Sequence, residues 1–385
     1  MKILAITQSS QISGGANRSF LDVLRRLRDE YSHEITVLVP EKGKFTDALS
    51  EMNMDYIVHP YYQTAFVSRG DVLDIYRHWK SIKKCILNSK AANCIIKKIK
   101  NKSFELVYIN DTTNTVGYYI AEKMELPFVW HFRGYQSAIK KYIINESKLR
   151  KSKKGKIINI SKAMFEYMER ERRIPPYMME VVYNGVENKA IEKKKTRENG
   201  FHCLECGHIS EAKGQIDAVR ALAIIVESGI NDIFLHFAGS PSIEHGVSYR
   251  SVLERIIEEK GLVNNVIFEG EVINMPSLRS QMDIELVCSV CEPFGRVTVE
   301  GMQSGLPVIG SNTGGTPEII IDGQNGLLYE QGNPESLAEA IIKLYKDVHL
   351  RNFMSKNAIE YTKNHFTMEK NVEEINRIIC EMESK

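Results

Sequence analysis

Residues 289–318 read SVCEPFGRVTVEGMQSGLPVIGSNTGGTPE, and this stretch decides how the rest of the chain is interpreted. A strand-like apolar run at 284–287 ends just before it, and a helix is predicted at 296–304. The start of a helix exposes unpaired backbone N–H groups and favours negative charge. Glu292 precedes this helix and Glu300 lies about two turns farther on, on nearly the same side. The stretch therefore predicts a site for a phosphate-bearing ligand that is rich in hydroxyl groups.

The size of the chain predicts two domains. Its 385 residues and 44.0 kDa exceed the size at which a single hydrophobic core usually keeps growing. With 43% hydrophobic and 26% charged residues, it has the composition of an ordinary globular protein. The apolar run at the start is too short for a secretory signal, and no later stretch approaches the roughly 18 apolar residues that span a bilayer. We expect a cytoplasmic protein, soluble or peripheral at the inner face of the cell membrane.

The cysteines fit a reducing compartment, because their number, seven, is odd and no disulfide framework is evident. Cys203/Cys206 and Cys288/Cys291 have the C-x-x-C spacing, and their four sulfurs could form a zinc site. Ordinary packing is favoured, since the pairs lie far apart and each falls in or beside a strand-like run. Residues i and i+3 of a strand point to opposite faces. We therefore expect no metal.

Charge is unevenly distributed, although the net charge is only +2. Residues 1–185 carry 31 Lys/Arg and 19 Asp/Glu, whereas residues 186–385 carry 20 and 30. Basic residues concentrate in an amphipathic region at 76–102 and in a second cluster at 140–156. Either these are solvated helix faces covered by lysine stems, or the first half meets anionic lipid headgroups. No recognition motif for nucleic acid accompanies the charge, so no nucleic-acid partner is expected.

The first half follows the βαβα rhythm of a parallel sheet. It opens with a strand at 3–6, a loop containing Gly14 and Gly15, and a helix with apolar residues at helical spacing. The glycines would let a phosphate or sugar approach backbone amides, although they do not form the G-x-G-x-x-G motif. Further strands are predicted at 34–39, 55–58, 106–109, 128–130, 156–160 and 181–183.

Polar residues follow two of these strands at their carboxyl ends. Asn110 and Asp111 come after the strand at 106–109, and His131 and Arg133 come after the strand at 128–130. In open α/β sheets, ligands bind beyond the carboxyl ends of the strands. The four residues are therefore site candidates, although a lone histidine is more often structural.

The second half begins a second doubly wound sheet. A strand at 201–206, a loop containing Lys213 and Gly214, and a helix at 215–227 are followed by strands at 233–238, 266–269, 284–287, 307–310 and 326–329. The predicted domains are 1–188 and 201–365, joined by a linker at 189–200. The tail, 366–385, has one apolar helical face and is expected to pack back on the first domain.

The segment from Glu292 to Glu300 resembles the Glu, seven residues, Glu motif of the family-4 retaining glycosyltransferases, of the bacterial polysaccharide or glycolipid type. The resemblance covers most of the chain. It implies the GT-B fold, an α/β architecture of two Rossmann-like doubly wound domains facing a central cleft, with a C-terminal helix crossing back to the first. Its further marks are Gly14-Gly15, Asn184-Gly185-Val186, Lys213-Gly214, Ser289 and 314–318.

The resemblance also implies roles for individual residues. A nucleoside-diphosphate sugar, with UDP favoured, would bind the second half, and a glycan or lipid-linked acceptor would bind the first. Glu300 would accept hydrogen bonds from the ribose hydroxyls, Glu292 would hold the donor sugar, and Lys213 would neutralise the departing diphosphate, so no metal or other cofactor is expected. Retention would follow from front-face attack. The implied catalytic residues are His131, Glu292 and Lys213; the donor-binding set is Gly14, Gly15, His208, Lys213, Val272, Glu292, Phe294, Gly295, Arg296, Val297, Thr298 and Glu300; the acceptor set is Asn110, Asp111 and Arg133.

One residue departs from the family pattern, because His208 stands where an arginine is usual. A neutral imidazole offers one donor where a guanidinium offers a charged fork. Stabilisation of the diphosphate would then be weaker or fall partly to Arg296, or the donor would differ. A sugar-nucleotide epimerase or a phosphorylase of the same fold remains an alternative, as does a non-catalytic glycan- or lipid-binding protein.

Overall fold

The computed structural model describes residues 1–12, 15–64, 73–135, 149, 154–187, 200–244 and 247–383. The chain divides into two compact units, one formed by Met1–Gly185 with Met368–Lys385 and the other by Val186–Thr367. Each unit contains one large parallel sheet. Gly14, nearly all of the predicted linker 189–200 and most of the basic cluster 140–156 lie outside the described residues.

The described strands of the first unit form a single sheet. They are β1 (Lys2–Ile6), β2 (Glu34–Val39), β3 (Asp55–Val58), β4 (Leu106–Asn110), β5 (Phe128–Phe132), β6 (Gly155–Asn159) and β7 (Met179–Val181). They pair in parallel in the order β3-β2-β1-β4-β5-β6-β7. The chain therefore winds away from β1 in both directions, as in a doubly wound fold. β4 and β5 are wholly buried, as expected for strands covered by helices on both faces.

Amphipathic helices cover this sheet. They are α1 (Gly15–Asp29), α2 (Lys44–Glu51), α3 (Asp74–Lys98), α4 (Thr115–Met124) and α5 (Lys162–Arg172), with a 3-10 turn at Pro176–Met178. In α1, Phe20, Leu24 and Leu27 recur at helical spacing and are fully buried against the sheet. Ser161 caps α5 by accepting a hydrogen bond from the backbone N–H of Met164 at 3.1 Å.

The second unit repeats the plan with a second parallel sheet. Its described strands are β8 (Phe201–Cys206), β9 (Ile233–Ala238), β10 (Ile243–Glu244), β11 (Val247–Ser248), β12 (Val266–Gly270), β13 (Ile284–Val287), β14 (Val308–Ser311) and β15 (Gly326–Tyr329). Six of them pair in the order β12-β9-β8-β13-β14-β15, and β10 and β11 form an antiparallel hairpin. The loops that follow the adjacent strands β8, β13 and β14 therefore leave the same edge of the sheet side by side.

The helices of the second unit complete its core. They are α6 (Gln215–Glu227), α7 (Tyr249–Glu259), α8 (Met275–Arg279), α9 (Arg296–Gln303), α10 (Thr316–Ile319), α11 (Pro334–Lys346) and α12 (Val348–His365), with a 3-10 turn at Glu211–Lys213. Asn333 and Asp347 cap α11 and α12 by accepting backbone hydrogen bonds from the first helical turn. Among the described residues, no helix is long and apolar enough to cross a membrane.

The C-terminal helix α13 (Met368–Glu383) belongs to the first unit. Its face of Val372, Ile375, Ile378 and Ile379 is fully buried in the core that also contains Phe20 of α1. The expectation that the tail packs back on the first domain is confirmed.

Two predicted strands differ from the structure by two residues, whereas the others agree to within one residue at each end. β5 continues to Phe132 instead of ending at residue 130, because His131 pairs with Asn110 of β4 and Phe132 pairs with Asn159 of β6. Asn110 is therefore the last residue of β4 and His131 lies within β5, so neither belongs to the loop that follows its strand. β7 occupies 179–181 instead of 181–183, since its neighbour β6 ends at Asn159, which is opposite Val181.

Candidate functional site

The backbone around Gly295 is built for close approach at the start of α9. Gly295 has φ 100°, in the left-handed region that favours glycine, and it immediately precedes the helix. A Cβ atom at this position would lie 2.9 Å from Oγ1 of Thr298. The residue type therefore follows from the turn that exposes the first N–H groups of α9, which is the helix start predicted from the sequence.

Glu292 and Lys213 form an ion pair beside this helix start. Lys213 Nζ lies 2.7 Å from Glu292 Oε2, and Ser289 Oγ donates to the same oxygen at 2.9 Å. Lys213 ends the 3-10 turn after β8, and the next residue, Gly214, packs directly on the end of β13. A Cβ atom at Gly214 would lie only 2.0 Å from the carbonyl oxygen of Cys288. The contact between these two loops is what brings the lysine to the carboxylate.

Gly314 and Gly315 pack against the backbone of the loop that carries Glu292. The N–H of Gly315 donates to the carbonyl oxygen of Glu292 at 2.8 Å. A Cβ atom at Gly314 would lie 2.3 Å from that same oxygen, and one at Gly315 would lie 2.9 Å from the carbonyl oxygen of Pro293. The two glycines thus permit backbone-to-backbone packing between the loops after β13 and β14, a role that the sequence motif alone did not specify.

Glu300 is held by two arginines. Arg296 Nε donates to Oε1 at 2.9 Å, and Arg279 Nη1 donates to Oε2 at 3.1 Å. Burial alone would raise the pKa of Glu300, but the charges and hydrogen bonds of Arg279 and Arg296 outweigh it and lower the pKa below its ordinary value. Glu300 is therefore an ionised carboxylate that can only accept hydrogen bonds.

Arg279 is the site residue that the sequence reasoning missed. It is 4% exposed, and it also pairs through two nitrogens with Glu285 of β13. A signal was present in the sequence, since Glu285 interrupts the apolar strand at 284–287 and a buried carboxylate requires a partner.

The remaining residues of the predicted donor-binding set differ in burial and in their contacts. Phe294 is buried, and its ring packs edge-on against Phe366 with centroids 5.6 Å apart. Val272 and Val297 are partly buried against one small apolar cluster. Thr298 is fully buried, and its Oγ1 has no hydrogen-bond partner within the described part of the chain. His208 is exposed, and its carbonyl oxygen accepts a hydrogen bond from Gln215 at 3.0 Å.

A second group of predicted site residues lies in the first unit. His131 is fully buried, and its Nδ1 lies 2.9 Å from Tyr108 Oη and 3.3 Å from Arg133 Nη2. Burial first, and then the charge of Arg133, hold the pKa of His131 well below its ordinary value. A guanidinium can only donate, so Nδ1 is the acceptor and the proton of the neutral ring resides on Nε2. Among the described residues, Nε2 has no hydrogen-bond partner.

Arg133 organises the polar residues around His131. Its Nε donates to Asn110 Oδ1 and its Nη1 to Asn184 Oδ1, both at 2.7 Å. The carboxylate of Asp111 instead accepts from the backbone N–H and the hydroxyl of Thr113, at 3.0 and 2.7 Å. The structure thus unites His131, Arg133 and Asn110 in one hydrogen-bond network. The carboxylate of Asp111 instead accepts its hydrogen bonds within the turn that follows β4. Gly15, at the start of α1, is exposed.

Cys203 and Cys206, both in β8, pack on opposite faces of the sheet, as predicted for strand residues at i and i+3. Cys203 belongs to the main core of the second unit, whereas Cys206 belongs to the small cluster on the opposite face of the sheet. Cys288 is buried and Cys291 is exposed, and all four are free thiols. Within the described part of the chain, no group of three or more His, Cys, Asp or Glu side chains is arranged to hold a metal ion.

Known proteins resemble this chain in sequence and in fold. Residues 186–361 match the sequence family described as Glycosyl transferases group 1. An uncharacterized glycosyltransferase of Methanocaldococcus jannaschii is 27% identical over 387 residues, covering 99% of each chain. A glycosyltransferase structure from Rickettsia africae superposes with a TM-score of 0.80 at 19% identity, over 99% of this chain and 98% of that one. Anabaena HepE in complex with UDP and glucose superposes with a TM-score of 0.76 at 22% identity, over 99% of each chain.

The fold is GT-B. The predicted fold class is therefore confirmed, and the family match with the relatives supports a glycosyltransferase of this fold. The segment matched to the glycosyltransferase family contains Lys213, Glu292 and Glu300, whereas His131 and Arg133 precede it.

Proposed function

We propose that the protein is a retaining glycosyltransferase that transfers a sugar from a UDP-sugar to a glycan or lipid-linked acceptor in cell-surface polysaccharide synthesis. The observation that carries the proposal is the pair of differently held carboxylates, one just before α9 and one within it. Glu300 is fixed by two arginines, and Glu292 is fixed by Lys213 and Ser289. Acidic, hydrogen-bond-accepting groups beside a helix N-terminus suit a ligand that combines hydroxyls with phosphate.

Glu300 suits a ribose. An ionised carboxylate oxygen has two lone-pair directions, and each oxygen of Glu300 uses one for an arginine. The remaining acceptor capacity matches a diol, whose two hydroxyls donate together. A nucleobase offers no comparable pair of hydroxyls, so this end of the site would bind the sugar of the nucleotide.

Lys213 and the start of α9 suit the diphosphate. The first N–H groups of a helix have no partners within the helix, and its dipole favours an anion there. Lys213 adds a mobile positive charge, now paired with Glu292. These groups would stabilise the negative charge that develops on the leaving diphosphate, which is the part that a metal ion plays in other transferases. The reaction would then need no metal.

The transfer would proceed on one face of the sugar. The bond between the anomeric carbon and the phosphate oxygen breaks, the acceptor oxygen bonds to the same carbon, and the acceptor proton moves to the departing phosphate oxygen. Glu292 would hold hydroxyls of the sugar during this step. His131 would donate from Nε2 to a sugar hydroxyl and would not act as a base, because its pKa is held low and its Nδ1 is engaged.

UDP is the proposed nucleotide because solved structures of the same fold hold it. Anabaena HepE has been solved with UDP and with UDP-glucose. The N-acetyl-alpha-D-glucosaminyl L-malate synthase of Bacillus anthracis, 28% identical over 209 residues and 52% of this chain, is a further relative whose name describes attachment of a sugar. The acceptor proposed here is a glycan or lipid.

A membrane-facing acceptor is supported by the exposed side of α3. Ile75, Tyr76 and Trp79 at its start are 73%, 63% and 68% exposed, and Lys80 and Lys83 follow on the same side. Aromatic residues with neighbouring lysines suit the interface of an anionic bilayer. We propose that this face brings the protein to the surface where a lipid-linked acceptor would lie.

Nucleotide-sugar turnover tests the proposed function. The full chain is incubated with UDP-, GDP- and dTDP-sugars, release of nucleotide is followed, and binding of each nucleotide is measured by calorimetry. We expect binding of UDP and slow release of UDP from at least one UDP-sugar. Absence of binding and turnover with every donor would contradict the proposal.

A further inference from the structure

A row of alternating charges runs from the core of the second unit to Glu300. Glu285, in the middle of β13, is fully buried, and Arg279 Nε and Nη2 each lie 2.9 Å from one of its oxygens. The third nitrogen of the same guanidinium, Nη1, donates to Glu300 Oε2 at 3.1 Å. Arg279 therefore joins a carboxylate without access to solvent to the carboxylate proposed for the ribose.

Stability alone is a weak explanation for this arrangement. Replacing a buried ion pair by apolar residues of similar volume is often neutral or stabilising, because the pair must first be taken out of water. The two hydrogen bonds that Arg279 Nε and Nη2 donate would satisfy the carboxylate of Glu285 without any contribution from Nη1. The direction of Nη1 towards Glu300 is thus the feature that requires a reason.

The neighbouring sequence makes room for the pair. Gly301 directly follows Glu300 in α9, and a Cβ atom there would lie 2.3 Å from Glu285 Oε2. Any other side chain at position 301 would displace the carboxylate that fixes Arg279. The positions of Glu285, Arg279 and Gly301 therefore depend on one another, and Arg279 connects them to Glu300, the residue that would hold the nucleotide in the proposed function.

We propose that Arg279 is a positioning residue for the nucleotide: anchored by Glu285, it fixes one oxygen of Glu300 so that the carboxylate presents its free lone pairs to the ribose diol. Arg296 fixes the other oxygen, at 2.9 Å. With both oxygens held before the ligand arrives, binding loses less side-chain freedom. This inference rests on the proposed function, to which it adds the residue that orients the ribose-binding carboxylate.

The charges around Glu300 predict a signature in its titration. Arg279 faces Glu300 from α8 and Arg296 from its own helix, while the Cys206 thiol lies nearby on β8 and Glu285 acts through Arg279. Because Arg279 helps to lower the pKa of Glu300, removing it raises that pKa towards the ordinary value. UDP binding that requires ionised Glu300 would then weaken at a higher pH than in the wild type.

The variants separate positioning from folding. Arg279→Met alone would leave Glu285 buried without a partner and risks unfolding. The main variant is therefore Arg279→Met with Glu285→Leu, which replaces the whole pair by apolar side chains. Arg279→Lys keeps the charge but cannot supply three nitrogens in a fork. Arg220→Met, at an exposed position of α6, is the matched control.

The experiment measures UDP affinity by calorimetry from pH 4 to pH 8 and the titration of Glu300 by NMR of carboxyl-labelled glutamate, assigned with Glu300→Gln. For the folded double variant we expect UDP affinity to fall about tenfold or more. The pH below which UDP affinity declines and the pKa of Glu300 should both move upward. Arg279→Lys should show a partial loss, and Arg220→Met should show none.

Two results distinguish the failure of this inference from that of the proposed function. If the wild type binds UDP and the folded double variant keeps both the affinity and the Glu300 pKa of the wild type, Arg279 does not position Glu300. If the wild type binds no UDP, the proposed function fails, and the Glu300 titration still decides whether Arg279 controls this carboxylate. An unchanged Glu300 pKa in the double variant overturns the inference in either case.

Discussion

Lys213 Nζ lies 2.7 Å from Glu292 Oε2, although the two residues are 79 positions apart in the chain. Each of the two side chains is the counter-charge of the other. In the proposed reaction, a diphosphate would compete with Glu292 for the lysine. The lysine would then stabilise the leaving group, and the freed carboxylate oxygen would accept from the donor sugar.

Lys213→Met should reduce kcat/KM for the donor sugar by about a hundredfold or more, the effect expected when one preorganised charge is removed from a developing anion. The measurement is nucleotide release at several donor concentrations. Lys260→Met is the control, because Lys260 is exposed and pairs only loosely with Glu227 at 3.5 Å. Equal kcat/KM in the wild type and Lys213→Met would show that the lysine takes no part in the reaction.

Gly314→Ala should disturb the site through the backbone. Its Cβ would lie 2.3 Å from the carbonyl oxygen of Glu292, and its φ of 57° favours glycine. We expect a loss of roughly 1–3 kcal/mol in the free energy of unfolding and a lower rate of transfer. Gly323→Ala is the matched control, because it also has a positive φ, 75°, but no atom within 4 Å of its Cβ. If the Gly314 variant is no less stable than the Gly323 variant, the packing of Gly314 on the backbone of Glu292 does not stabilise the loop.

The sequence predicted the fold because the relevant signals are local. Short apolar runs such as 201–206 and 233–238 coincide with observed strands, and Gly295 marked the start of α9. Glu292 and Glu300 were found for the same reason, since both flank one helix start. His131 was found from the rule about strand ends, although it lies inside β5.

The missed parts of the site depend on contacts between distant segments. Arg279 lies on a five-residue helix, and only the packing of α8 on β13 brings it to Glu285 and Glu300. The network of Arg133 similarly requires Asn184, which is 51 positions away. No spacing rule encodes these distances, because they are set by how the sheet and its loops pack.

The pH dependence of donor binding should be set by Glu300 and not by His131. The lowered pKa of Glu300 means that its contribution is present at neutral pH and is lost only as the pH falls through that lowered value. The pKa of His131 is held well below its ordinary value, so the ring stays neutral at and above pH 6.5. UDP affinity should therefore depend on pH in the same way in the wild type and in a His131 variant between pH 6 and pH 8. A step near pH 6.5 that disappears in a His131 variant would contradict this account.

His131 should act as a hydrogen-bond donor. His131→Gln retains an N–H donor on a side chain of similar reach, whereas His131→Phe removes it. We expect kcat to fall about tenfold or more in His131→Phe and less in His131→Gln. Steady-state transfer rates with the folded variants test this order. If His131→Phe transfers as fast as His131→Gln, the Nε2 proton has no part in the reaction.

The exposed face of α3 should bind anionic vesicles. Lys80→Glu with Lys83→Glu reverses two charges beside Trp79 and should weaken binding to phosphatidylglycerol vesicles at least about tenfold, since each lysine near such a surface contributes about 1 kcal/mol. Lys42→Glu with Lys44→Glu changes the net charge equally at another exposed site of the first unit. Equal binding by the two double variants would show that the attraction is only a matter of net charge. Vesicle sedimentation is the measurement.

The central claim is that two carboxylates at one helix start have separate tasks, Glu300 on the ribose and Glu292 on the transferred sugar. The most direct test compares Glu300→Ala and Glu292→Ala in UDP binding by calorimetry and in transfer from a UDP-sugar to an authentic acceptor. We predict that Glu300→Ala mainly weakens UDP affinity, whereas Glu292→Ala keeps that affinity and mainly lowers the rate of transfer. Wild-type affinity and wild-type transfer rates in both folded variants would contradict the account.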